Sequence, residues 1–134
     1  DLVAALAKAA DSLSYPFHIG IGRSQDSEHV SCGRPSVNGY FQPRHAEIID
    51  YYNRARVMYW DRESAGIVTL CNLFGRRGGA VVSVDNNLVT GESFSAGNGQ
   101  DHAIDIAFEG LVNLYKMDSI SKENGQRYWV PDLK

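Results

Sequence analysis

Tyr59-Trp60-Asp61-Arg62-Glu63-Ser64-Ala65-Gly66-Ile67-Val68-Thr69-Leu70-Cys71 sets two carboxylates one residue apart, just where an apolar helical pattern begins. An acidic pair at a helix entrance can do either of two jobs. It can serve the unpaired N–H groups and the dipole of the first turn. It can also accept hydrogen bonds from the hydroxyls of a sugar at the mouth of a pocket. The helix predicted from this stretch ends near Gly75, and its place in the order of elements decides the fold class.

Before it, residues 43–56 read as another helix, opened by Pro43, a residue suited to a first helical turn. Residues 23–42 are rich in Gly, Ser, Pro and Asn and read as a long loop, of the kind that carries function more often than not. Further back, Phe17-His18-Ile19-Gly20-Ile21-Gly22 is a short apolar run that reads as a buried strand, set off by Pro16. Residues 1–13 place Leu2, Val3, Leu6, Ala9, Ala10 and Leu13 on one helical stripe.

Beyond the acidic pair, Gly75-Arg76-Arg77-Gly78-Gly79 reads as the turn that ends a helix. It is not a phosphate loop, because such a loop opens a helix N-terminus and this one follows a helix. Ala80-Val81-Val82-Ser83-Val84 reads as a second buried strand, and residues 85–99 as a polar loop. A last helix is expected from Gln100 to Met117, with Ile104, Ala107, Phe108, Leu111 and Leu114 inward. The order helix, strand, helix, helix, strand, helix predicts an α/β fold with a largely parallel sheet. Two strands cannot cover four helices, so a partial domain is expected.

The 134 residues and 14.8 kDa amount to one domain or part of one. A net charge of −3 offers no basic footprint for nucleic acid or an anionic membrane. No apolar run approaches the ~20 residues that span a bilayer. Two cysteines, Cys32 and Cys71, are too few for a disulfide framework or a thiolate zinc site, and Cys71 falls on a helical core stripe. His18, His29, His45 and His102 lack metal-ligand spacing, so no metal is expected. The balance suggests a reduced, cytoplasmic protein.

Several motifs, in order, resemble one family. His18-Ile19-Gly20-Ile21-Gly22-Arg23-Ser24-Gln25-Asp26-Ser27 is similar to the His-x-Gly-x-x-x-Ser-x-Asp-Thr strand and loop of uridine phosphorylases. Arg34 falls on the arginine of that family's Gln-x-Arg base-binding motif. Asp61-Arg62-Glu63-Ser64-Ala65 resembles Glu-Met-Glu-Ser-Ala, and Thr69-Leu70-Cys71 resembles Thr-Met-Cys. Asn87, Gly91 and Glu92 match a loop of the pattern Asn-Arg-Leu-x-Gly-Asp, and His102-Ala103 matches a Ser-His-Ala helix. The resemblance covers residues 1–117, read as the C-terminal half of a nucleoside phosphorylase-like domain, with residues 118–134 as an extension. It implies a three-layer fold, with a central mixed, largely parallel sheet flanked by helices.

The resemblance also implies a reaction: cleavage of a nucleoside, uridine-like, by inorganic phosphate to a base and ribose 1-phosphate, without an organic cofactor. The expected partners are nucleoside and phosphate, within a homo-oligomer. Glu63 would hold the ribose hydroxyls, with Asp61 and Arg62 beside it; Arg34, Cys32 and Glu28 would face the base. The phosphate cradle would lie in the other half, so this chain alone would be inactive. Four positions depart from the family: Cys32 replaces a Gln, Glu28 a Phe, Arg62 a Met and Leu88 an Arg. Asp85 stands where related purine nucleoside phosphorylases have the Asp that protonates the leaving base; it can equally start an Asx-turn. Purine preference, hydrolysis by water, and a catalytically silent binding or assembly subunit therefore stay open beside phosphorolysis of uridine. Asp61 remains open between helix cap and sugar ligand.

Overall fold

The computed structural model describes residues 1–92, 95, 97 and 99–131. Parts of the expected 85–99 loop and of the 118–134 tail lie outside them. The chain is mixed α/β, and its largest packed unit is a helix pair. Helix α1 (Leu2–Ser12) lies along α5 (Gln100–Glu123). Ala5, Ala9 and Ala10 are the residues α1 buries, against Ile106, Leu114 and Met117 of α5. Small residues choose this face because they let the two backbones approach. Gly110 shows how closely: a Cβ there would lie 2.6 Å from Leu6 Cδ2.

That choice overturns the expected inner face of the last helix. The buried stripe is Ile106, Gly110, Leu114, Met117 and Ser121, whereas Ile104, Phe108 and Leu111 are exposed. Val3 and Leu13 of α1 are exposed as well. Helix α5 also runs six residues past Met117, to Glu123. Trp129 then folds back onto Ala5, Leu114 and Met117, so the tail docks on its own chain.

The sheet has two parallel strands, β1 (Ile21–Ser24) and β2 (Val57–Asp61), paired Gly22 with Tyr59, Arg23 with Trp60 and Ser24 with Asp61. Strand β2 was not expected; its Val, Tyr and Trp residues suit a half-buried pleated surface. Gly22 admits the neighbouring strand's side chain, since a Cβ there would lie 2.1 Å from the Tyr59 ring. The helix expected over 43–56 is two pieces, α2 (Pro43–Ala46) and α3 (Ile48–Arg54), divided at Glu47. Arg56, at φ 60°, turns the chain from α3 into β2.

Helix α4 (Ser64–Leu73) follows β2, and Gly75 in the left-handed region closes its end, with Arg76 N–H donating to the Cys71 carbonyl. The turn reading of 75–79 is correct. Cys71 is only half-buried, and α4 buries none of its residues. Leu73 and Phe74 stay 74% and 75% exposed, which marks an apolar face without cover among the described residues. The expected strand 80–84 forms no ladder either. Val81 packs on the α1–α5 pair, but no described strand lies alongside to take its hydrogen bonds. No described helix is long and apolar enough to cross a membrane.

Arg77 ties the α4–80s turn to α5 through a two-pronged pair with Asp118, at 2.9 and 2.6 Å. Hydrogen bonds from the guanidinium hold the Asp118 carboxyl below the usual carboxylate range. A depressed carboxylate adds stability that is complete above its unfolded value of about 4 and is lost as pH falls through the lower folded value. Both side chains are about half exposed, so the pair contributes no more than about 1 kcal/mol. Asp118→Asn is therefore expected to lower Tm by no more than about 4 °C at pH 7. Thermal melts at pH 7 and at acid pH check this, and the gap should close in acid.

Candidate functional site

The two strands end side by side at Ser24 and Asp61, and the crevice beyond the carboxyl ends of parallel strands is where open α/β sheets bind ligands. A cavity of about 1040 Å³ lies there. Its walls come from the loop after β1, from Ile49 and Asn53 of α3, from β2 along its length with the β2–α4 junction, and from residues 82–89, 91 and 92. Glu28, Cys32, Arg34, Asp61, Arg62, Glu63 and Asp85, the seven expected site positions, all line it.

The acidic pair separates in space. Asp61 closes β2, and its carboxylate accepts from the Ser24 hydroxyl at 2.5 Å, from the Ser64 hydroxyl, and from the Ser64 N–H at 3.3 Å. The last bond takes up the N–H of the first residue of α4, from two positions before its N-cap, Glu63. Ser24 Oγ in turn accepts from Ala65 N–H at 2.8 Å. Strand β1 thus helps to start α4, and Asp61 serves the helix entrance. Glu63 is exposed at the mouth. One of its oxygens accepts from Arg62 N–H at 2.9 Å, and the other has no partner among the described residues.

Arg62 reaches across to the loop after β1, with Nη2 3.2 Å from Glu28 Oε1. The two residues that depart from the resembled pattern on the ribose and base sides therefore pair with each other. Both side chains are more than half exposed, so the pair adds little stability and acts mainly on the polarity of the cavity. Cys32 is buried. Arg34 is exposed beyond it, with no side-chain partner among the described residues. Asp85 carries a buried Oδ1 without a hydrogen-bond partner among the described residues. A buried polar oxygen left unpaired is destabilising, and such groups recur where a ligand supplies the partner. Among the described residues no group of three or more His, Cys, Asp or Glu is placed to hold a metal ion.

Sequence reasoning missed Arg23 and Gln25. Arg23 lies on β1 with its guanidinium against Tyr52 and Trp60, and Gln25 lines the cavity. Both fall on unspecified positions of the 18–27 motif, which therefore gave no reason to single them out; only the pairing of β1 with β2 brings Arg23 to Trp60.

The whole chain, 134 residues, is 37% identical to a relative from Thermococcus kodakarensis named uridine phosphorylase. Over that length the chain is similar to a nucleoside phosphorylase. It spans 48% of the length of that relative. No family model matches the chain. The phosphorylase-like motifs at 18–27, 61–65 and 69–71 lie on β1 with the segments either side of it, the β2–α4 junction and α4. Gln25 of the first and Asp61, Arg62 and Glu63 of the second line the cavity.

Proposed function

We propose that this chain is the ribose- and base-binding half of a nucleoside phosphorylase, the C-terminal half of a three-layer domain with residues 118–134 as an extension. The observation that carries the reading is the convergence of all seven marked positions on one cavity at the strand ends. The uncovered apolar face of α4 suits packing against the strands and helices of the other half.

In the reaction, an oxygen of inorganic phosphate attacks the anomeric carbon while the bond to the base breaks. The electron pair of that bond leaves with the base, and the sugar passes through an oxocarbenium-like transition state. Glu63 accepts hydrogen bonds from the ribose hydroxyls, and its charge favours the cationic sugar. Arg34 offers a planar fork of donors to a base carbonyl. Asp85, when protonated, gives its proton to the departing base. The phosphate is held by the other half, no cofactor takes part, and the enzyme works as a cytoplasmic homo-oligomer. The Asp85 oxygen, unpartnered among the described residues, favours a second reading, in which purine nucleosides are preferred.

Base release from uridine, inosine and adenosine by the full-length protein, with and without phosphate, tests this. Turnover should require phosphate and saturate with it. Equal rates without phosphate would make the enzyme a hydrolase, and no turnover of any nucleoside would leave a silent subunit.

A further inference from the structure

A polar network on the cavity wall takes no part in the ribose chemistry. The Arg23 guanidinium carbon lies 4.3 Å from the Tyr52 ring centroid and 4.7 Å from that of Trp60. Its Nη1 donates to Gln25 Oε1 at 2.8 Å and to the Ser31 carbonyl at 2.9 Å. Stacking and two hydrogen bonds fix this guanidinium in place.

A guanidinium has donors and no acceptor, so the amide atom facing it is the oxygen. That sets the rest of the amide. Gln25 Nε2 faces Cys32 Sγ at 2.8 Å, and the Cys32 thiol in turn faces the Ser27 carbonyl at 4.0 Å. Donors and acceptors run one way, from Arg23 through Gln25 and Cys32 to Ser27. One amide hydrogen is directed at sulfur. The second has no acceptor among the described residues, and Gln25 lines the cavity beside Glu28 and Arg34.

We propose that Gln25, held by Arg23, is a base-selecting donor whose free N–H hydrogen-bonds the 4-oxo group of a uracil-type base. This deepens the phosphorylase reading and rests on it for the identity of the ligand. An amide free to turn over offers a donor or an acceptor equally well and discriminates little. A locked amide discriminates. An exocyclic amine in place of the carbonyl sets donor against donor, and both lose water without gaining a partner. Arg23 is the positioning residue and touches no ligand.

Uridine and cytidine differ in this respect, with an oxo group in one and an amino group in the other. Their binding to the full-length protein, measured by calorimetry together with kcat and KM, provides the test. The unaltered protein should bind uridine more tightly. Gln25→Ala should weaken uridine binding about two- to tenfold, the worth of one neutral hydrogen bond, and change cytidine binding little. Arg23→Met should show the same selective loss, and the double variant should be no worse than Gln25→Ala alone. Gln25→Glu, which keeps the shape but replaces the donor with an acceptor, should shift preference toward cytidine. Equal losses for both nucleosides, additive single variants, or an unchanged ratio in Gln25→Glu would overturn the proposal. Selective binding without turnover of either nucleoside would support the donor role and contradict phosphorolysis, so the two failures are distinct.

Discussion

Glu63→Gln is expected to lower kcat/KM about 100- to 1000-fold in the full-length protein, the loss typical of one contact made to transition-state charge. The substitution keeps the size of the side chain and an acceptor oxygen, and removes only the negative charge. Glu63 sits exposed at the cavity mouth with one oxygen on the Arg62 N–H and the other open to a ligand. Its charge therefore acts on the sugar as the anomeric carbon becomes cationic. Stability should change by no more than about 0.5 kcal/mol, as for other exposed surface positions. Steady-state kinetics and a thermal melt of the same preparation separate the two effects. A rate within about twofold of the unaltered enzyme would reduce Glu63 to a partner of the α4 dipole.

Asp85→Asn carries the second large effect. Loss of a general acid typically lowers a rate about 100- to 10,000-fold. The effect should be greatest for nucleosides whose base must be protonated to leave, so inosine should suffer more than uridine. Stability should hold or rise, because the buried Oδ1 has no partner among the described residues to lose. Inosine and uridine kinetics beside a denaturant melt read both quantities. An unchanged rate with lowered stability would return Asp85 to the role of a turn residue at the head of 85–87.

The sequence was legible where local pattern and packing agree. Helices α1 and α5 follow from their apolar spacing, and the end of α4 follows from Gly75. It misled where tertiary contact decides. The inner face of α5 turns on Gly110 meeting Leu6, so Ile106 and Met117 are buried while the bulkier Phe108 is left outside. Strand β2 was obscured because Val57–Asp61 lies directly between two helical patterns, and only its partner β1 makes it a strand. Residues 80–84 show the converse, with strand composition and no described neighbour to pair with.

The site divides in the same way. Motif spacing marked the seven positions that meet at one cavity. It offered no sign that Glu28 and Arg62, thirty-four residues apart, pair with each other. Nor did it show that Asp61 and Ser24 together start α4. Each of these depends on β1 and β2 ending side by side, which no local pattern encodes.

A structure of the full-length protein with uridine bound tests the central claim most directly. Ribose hydroxyls are expected within hydrogen-bond distance of the Glu63 carboxylate, with the base lying between the 25–34 loop and Asp85. A nucleoside bound elsewhere, or seated here with its ribose turned away from Glu63, would contradict it.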